Sequence, residues 1–198
     1  MHWDRLFADL EDQFASQREA EHAALESEAE RLRVSQLSLH ERLMTLAARR
    51  GEVTVTFTDG LTTTVAVDAC GADWVGLRVR DGGAAYLISP VTAIAEIGMP
   101  DYLARQATAR PPRPSGVAAR TTFGYVLRDL ARRRIPVAVV TTSGRVLTGT
   151  LDRAGVDHVD LAEHDAGAAR RATTVTRTSV VAFATIARVR VVEGAHPA

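Results

Sequence analysis

The N-terminal stretch has the hydrophobic spacing of a helix. Residues 3–48 contain neither Pro nor Gly, and the first apolar side chains recur at alternating intervals of four and three residues. This pattern predicts an amphipathic helix. Its apolar positions are Trp3, Phe7, Leu10 and Phe14.

A second apolar pattern follows at seven-residue spacing, typical of a coiled coil, on Leu25, Leu32, Leu39 and Leu46. Because the two patterns do not share one register, we expect a stutter or a break near residues 16–24 or 33–36. The segment is therefore predicted to be a helical, coiled-coil element whose apolar residues mediate oligomerisation. The alternative is one or two amphipathic helices folded back on the same chain.

After residue 51 the hydrophobic period changes to two. From Val53 to Phe57 apolar residues alternate with threonines, and Asp59-Gly60 supplies a hairpin turn. A shift of 84 residues aligns residues 53–79 with 137–163 without a gap, and ten of the 27 positions are identical. Since about two identities are expected by chance, the sequence predicts an internal duplication.

Each copy is interpreted as five short, strongly bent antiparallel strands, which bury a core by curling into a small barrel. The third strand follows a Gly-x-Asp turn and is predicted at Trp74 to Val79 in the first copy and at His158 to Glu163 in the second. A helix capped by Thr121 or Thr122 precedes the second copy. The predicted fold is mainly β with an N-terminal helix, and its two tandem five-stranded small β-barrels are each preceded by a helix. The predicted domains are residues 1–50 (helical, coiled-coil segment), 51–98 (first barrel), 99–118 (Pro- and Arg-rich linker) and 119–198 (helix plus second barrel).

The second copy contains a short motif, Gly149-Thr150-Leu151-Asp152, followed by a turn and an apolar strand at Val159 to Leu161. A helix and five bent strands with this motif resemble the Sm-like fold, the family of the Sm, LSm and Hfq proteins. The first copy has Val65 where Gly149 stands. The resemblance covers residues 51–98 and 119–192, and it implies two tandem Sm-like barrels.

The resemblance also implies RNA contacts at the turn after the second strand of each barrel. Trp74 and His158 stand at these turns, and either ring could stack on a base. The alternative is that both side chains pack against a helix or a partner. Sm turns usually carry Asn and Arg-Gly, and Hfq carries a Lys-His pair, and none of these stands here.

The start of the chain, from Trp3 to Glu11, resembles a second family, found in high-GC Gram-positive bacteria. Members of that family are sometimes labelled Fis-type transcriptional regulators. Fis-type regulators read DNA through a C-terminal helix-turn-helix, whereas this C-terminus predicts strands. A DNA-binding regulator is therefore only a further alternative.

Basic and acidic residues balance at 24 each but are distributed unevenly. Residues 99–134 carry eight Arg against two acids, whereas residues 51–98 carry two against six. The basic residues could contact phosphates, or they could form a solvated face paired with an acidic helix of a neighbour. The candidates for nucleic-acid binding are Arg113, Arg120, Arg128, Arg132, Arg133, Arg134, Arg170 and Arg171.

Composition excludes several chemistries. All 24 basic residues are Arg, which excludes Lys-dependent phosphate loops and Schiff-base enzymes. Cys70 is the only cysteine, so no internal disulfide or Cys-based zinc cluster can form, and we expect a cytoplasmic, non-membrane protein. Although His158, Asp160 and His164 share one strand face, an exposed polar face is favoured over a metal site. We expect no catalytic site, metal or cofactor.

The sequence thus favours a non-enzymatic binding or assembly protein, that is, an oligomeric protein-interaction scaffold. Sm-like barrels associate through exposed edge strands, which predicts a homo-oligomer. One alternative is an RNA-binding or RNA-chaperone module that uses the Arg-rich linker and the barrel turns. The other is a DNA-binding transcriptional regulator.

Overall fold

The computed structural model describes residues 2–80, 85–111, 120–165 and 175–191. The helices in these ranges are α1 (His2–Ser35), α2 (Leu39–Arg49), α3 (Asp101–Ala107) and α4 (Phe123–Arg133). The strands are β1 (Glu52–Phe57), β2 (Thr62–Cys70), β3 (Trp74–Val79), β4 (Tyr86–Pro90), β5 (Ile94–Gly98), β6 (Pro136–Thr141), β7 (Val146–Ala154), β8 (His158–Glu163), β9 (Arg177–Ala182) and β10 (Ile186–Val191).

The N-terminal helical segment is divided between two compact units, residues 1–38 and 39–198. Helix α1 runs for 34 residues without interruption, and α2 begins at Leu39. The break therefore follows Ser35, at the second of the two places where the change of hydrophobic register predicted it. The seven-residue pattern that continues to Leu46 spans this break and does not lie on one helix.

All ten strands form one antiparallel sheet in the order β5-β1-β2-β3-β4-β10-β6-β7-β8-β9. Strands β1–β5 with α2 are called the first half, and β6–β10 with α4 the second half. The strand order is the same in both halves, with the fifth strand beside the first. The halves meet where β4 pairs with β10, which we call the inner junction. Strands β5 and β9 end the sheet and are called the outer edges.

The sheet is not a closed barrel, and the prediction of two tandem five-stranded barrels is not confirmed. Strand β10 pairs with β6 on one side and with β4 of the first half on the other. Both of its hydrogen-bonding edges are therefore occupied, and neither pairs with β9 of its own half.

The duplication extends further than the strand alignment indicated. Arg50 and Arg134, 84 residues apart, end α2 and α4 in the same left-handed conformation, with φ of 52° and 55°. The register shifts within β2 and β7 also fall at equivalent residues. Each repeat therefore includes its preceding helix. The matching buried leucines are Leu43 and Leu127, and Leu46 and Leu130.

Each half has its own hydrophobic core. The core of the first half includes Leu46, which is fully buried. This residue was predicted to mediate oligomerisation, but it packs within its own chain. It also includes Leu103 and Ala107 of α3. The segment predicted as a linker therefore contains a helix packed into the first core. The core of the second half takes in Trp74 and Ile88 from the first half, so the inner junction shares a core.

Candidate functional site

The inner junction joins the two halves through backbone pairing and buried side chains. Leu87 and Ile88 of β4 pair in register with Arg190 and Val189 of β10. The hydroxyl of Ser89 is fully buried and donates to the carbonyl oxygen of Ala187 at 2.8 Å. Because this hydroxyl has a hydrogen-bond partner, its burial costs little. The bond and the strand pairing together fix the register of the junction.

The turn between β2 and β3 docks on the start of α4. The Trp74 indole donates from Nε1 to the carbonyl oxygen of Thr121 at 3.0 Å, and the amide of Ala72 donates to the same oxygen at 2.8 Å. A carboxylate oxygen of Asp73 accepts from the amide of Phe123 at 2.6 Å. The bond to Asp73 satisfies the first amide of α4, which has no partner within the helix.

Trp74 is therefore a junction residue. Its side chain is 7% exposed and lies within the core of the second half. At this exposure the indole presents no free face on which a base could stack. The packing alternative accounts for its position.

The equivalent turn of the second half is open to solvent. Asp157 matches Asp73 in the 84-residue alignment, yet its side chain is 86% exposed, and Val156 is 92% exposed. His158 takes the place of Trp74 and is bonded through Nδ1 to a carboxylate oxygen of Asp157 at 2.8 Å. This bond holds the pKa of Asp157 below its usual range. The predicted residue His158 thus remains accessible.

The turns at Gly71 and Gly155 share the same arrangement of a glycine, an aromatic ring and a contact from the preceding helix. A Cβ on Gly71 would collide with the Trp74 ring, and one on Gly155 would collide with the His158 ring. A side chain of the preceding helix also bonds each turn glycine's carbonyl oxygen: His40 Nε2 lies 2.6 Å from that of Gly71, and Arg128 donates to that of Gly155 at 2.9 Å. The absence of a Cβ at each glycine therefore leaves room for the ring three residues later to lie against the turn.

A buried ion pair crosses the inner junction. Nη1 of Arg188, on β10, lies 2.7 Å from both carboxylate oxygens of Asp59, in the β1–β2 turn. The two side chains are 10% and 5% exposed. The guanidinium also lies 5.0 Å from the centroid of the Phe57 ring, a cation–π arrangement. A desolvated pair of this kind is costly to break by removing one partner.

Most of the predicted phosphate-binding arginines that the structure describes contact groups of their own chain. Arg132 and Arg133 both pair with Asp129, and these bonds, the one from Arg132 above all, hold the pKa of that carboxyl below its usual range. Arg134 pairs with Asp152 at 2.5 Å, and Arg128 bonds the turn described above. Arg120 is exposed. Three further candidates lie outside the described residues: Arg113, Arg170 and Arg171.

The predicted oligomerisation residues fall into three groups. Phe14, Leu25 and Leu32 lie on α1 and are 60%, 71% and 60% exposed. Leu39 begins α2 and is 40% exposed, and Leu46 belongs to the core. The remaining three lie in α1, and their side chains are outside what the structure describes: Trp3, Phe7 and Leu10.

The possible metal trio is not assembled. His164 is 5% exposed and its ring nitrogens lie 2.9 Å from the Thr150 hydroxyl and 3.0 Å from the carbonyl oxygen of Asp165. Among the described residues, no three His, Cys, Asp or Glu side chains form a group that could hold a metal ion. Burial raises the pKa of the Cys70 thiol to about 12, which disfavours the reactive thiolate.

Sequence reasoning missed the contact residues of the inner junction. Asp59 and Arg188 are 129 residues apart, and neither belongs to a local motif. A signal for the enlarged repeat was present, since α2 and α4 align on the same 84-residue shift as the strands.

None of the helices that the structure describes is long and apolar enough to cross a membrane. Comparison of the chain with protein-family models, with curated proteins and with solved structures gives no match.

Proposed function

We propose that this chain is a non-enzymatic assembly protein, a scaffold in which two Sm-like repeats associate with further copies. The observation that carries the proposal is the inner junction itself. There the fourth strand of the first half (β4) pairs with the fifth strand of the second half (β10). The outer edges are the remaining fifth strand, β5, and the remaining fourth strand, β9. A surface that pairs once within the chain has a ready partner in another copy.

The outer edges have the character of pairing surfaces. Val180 of β9 is 68% exposed, although the matching residue of the first half, Ile88, is 1% exposed in the inner junction. Strand edges present unpaired backbone donors and acceptors, and natural proteins usually cover or charge them. Val180 is neither covered nor charged. Pairing of β9 with a strand of another chain would account for an exposed apolar residue at this position.

Helix α1 supports association through a second element. Phe14, Leu25 and Leu32 are exposed on a 34-residue helix. Helices with apolar residues at seven-residue spacing bury them by pairing with another helix. The predicted homo-oligomer thus has both a helical and a sheet contribution.

The RNA-binding alternative receives less support. Arg132, Arg133 and Arg134 each pair with a carboxylate of the same half, so a phosphate would have to compete with these bonds. Trp74, the candidate stacking residue, is buried.

The test is light scattering behind size exclusion on the full chain, recorded at 260 and 280 nm with and without nuclease. We expect a defined multiple of the 21.3 kDa chain without nuclease-sensitive absorbance. A monomer at all concentrations would contradict the scaffold, and a nuclease-sensitive excess at 260 nm would favour RNA binding.

Two variants divide the contributions. Val180→Lys places a charge on the outer edge and should lower the assembled mass, whereas Tyr125→Lys, at a residue that is 56% exposed on α4, is the matched control. The double variant Leu25→Lys with Leu32→Lys tests α1 in the same way.

A further inference from the structure

The side chains at the outer edges differ from those at the inner junction in a way that indicates how a second copy binds. Strand registers define the equivalent positions. Arg188 pairs with Val140, and Glu96 pairs with Thr56, the residue that matches Val140 in the 84-residue alignment. Both fifth strands also carry their irregularity next to these residues. Glu96 of β5 therefore occupies the place of Arg188, with the opposite charge.

The partner side is changed as well. Asp59 and Phe57, which hold Arg188, correspond to Ser143 and Thr141 in the second half. The carboxylate and the aromatic ring that favour a cation are replaced by two hydroxyls, which share one hydrogen bond of 2.9 Å in which either oxygen can be the donor. Hydroxyls are suitable donors for an anion.

An arginine completes this donor set. Arg145 matches Leu61, and Leu61 lines the same groove as Arg188 at the inner junction. In the second half, Arg145, Thr141 and Ser143 line a surface groove along β9. Arg145 is exposed, and so is Glu96 at the opposite end of the sheet. One outer edge thus presents a guanidinium and hydroxyls where the other presents a carboxylate.

We propose that a second copy of this chain places β5 beside β9, with its Glu96 carboxylate bound by Arg145 and the hydroxyls of Thr141 and Ser143. This inference rests on the proposed self-association and specifies its contact. The occupant is a second copy because β5 carries both a strand that can extend the sheet beyond β9 and a carboxylate that complements the guanidinium and the hydroxyls of the groove.

A second contact follows from the same equivalence. At the inner junction Asp73 accepts from the amide of Phe123, the first residue of α4. The matching groups are the exposed Asp157 and the amide of Leu39, the first residue of α2. In the proposed contact, Asp157 of one copy caps α2 of the next copy. This role would explain why the Asp157 side chain is exposed in the single chain.

The reversed charges make the two junctions non-interchangeable. A β10 strand placed on β9 would bring Arg188 against Arg145, and a β5 strand placed on β4 would bring Glu96 against Asp59. Like charges brought together at an interface suppress wrong partners. The charge pattern therefore fixes the order in which repeats join and keeps inner and outer junctions alternating.

The experiment uses the full chain with Glu96→Arg, Arg145→Glu, and both together. Pairwise association is measured by fluorescence energy transfer between labelled chains, so that any contribution of α1 is equal in every pairing. Each single variant should bind itself at least about tenfold more weakly than the wild type. An equal mixture of the two single variants, and the double variant with itself, should regain wild-type association.

The control is Arg78→Glu, a charge reversal on β3 at an exposed pair with Asp68 away from both outer edges. Regain in the mixture supports the Glu96–Arg145 contact, because a folding defect is not repaired by mixing. If the wild type associates and neither variant weakens it, the contact is wrong while the proposed function stands. A monomeric wild type overturns both.

Discussion

The two halves of the sheet share a backbone plan but differ in what their turns and edges contact. In the first half, the Trp74 turn and β4 are covered by α4 and β10, and Trp74 is 7% exposed. In the second half, the matching turn carries an Asp157 that is 86% exposed. The same turn is therefore buried in the first half and exposed to solvent in the second half. The difference identifies which residues belong to the fold and which are free for association.

The largest effect should come from the ion pair that only the inner junction has. Asp59→Ala leaves Arg188 buried, at 10% exposure, without its carboxylate. Removal of one partner of a buried pair should lower the free energy of unfolding by about 3–5 kcal/mol, measured by urea denaturation followed by circular dichroism. Ser143→Ala, at the matching position, should change it by less than about 0.5 kcal/mol. If the two variants lost the same free energy of unfolding, the Asp59–Arg188 pair would not stabilise the inner junction as argued.

A second contrast lies in β2 and β7, where Val65 matches Gly149. A Cβ on Gly149 would lie 2.0 Å from the carbonyl oxygen of Ala162, an overlap with backbone that cannot swing away. Gly149→Ala should therefore cost about 1–3 kcal/mol in the same assay. In Gly98→Ala, the control, the nearest atom is 3.7 Å from the new Cβ, so no loss is expected.

The turns themselves provide a smaller contrast. Trp74→Phe keeps an aromatic ring but removes the Nε1 bond to Thr121, and should lower the free energy of unfolding by about 1 kcal/mol. His158→Phe, at the exposed turn, should stay within about 0.5 kcal/mol of the wild type. A larger loss in the free energy of unfolding for His158→Phe would falsify the distinction between a buried turn at Trp74 and an exposed turn at His158.

The smallest expected effect is a pH dependence that belongs to the second half. Hydrogen bonds from Arg132 to Asp129, and from Ser179 and then Arg177 to Glu163, lower the pKa values of both carboxyl groups. Because a lowered pKa stabilises the folded state above the ordinary carboxyl pKa, this stability is lost as pH falls below about 5. Asp129→Asn should cost about 0.5 kcal/mol at neutral pH and reduce the acid-induced fall in Tm. An unchanged pH profile would contradict the assignment.

The local parts of this fold could be predicted from the sequence. The bounds of β3 and β8, Trp74–Val79 and His158–Glu163, follow from alternating side chains after a Gly-x-Asp turn. Helix α3 could not, because it has only seven residues among Pro and Arg. A helix that short is stabilised by tertiary packing, here of Leu103 and Ala107, and not by its own propensity.

The candidate site was accessible to sequence reasoning only in part. The turns at Trp74 and His158 were located correctly, but equal sequence positions do not reveal which turn is covered. That depends on the pairing of β4 with β10, whose residues Ser89 and Ala187 are 98 positions apart. Hydrophobic periodicity carries no information about such distant pairing.

Because the two halves belong to one peptide chain, the inner junction forms in a first-order reaction, whereas pairing of the outer edges is second order. At the inner junction β4 and β10 belong to one molecule, so the linker sets a constant effective concentration and the junction closes at any dilution. The outer edges meet only by collision between molecules. Any assembly built through them therefore dissociates on dilution to whole two-repeat chains and never to single repeats.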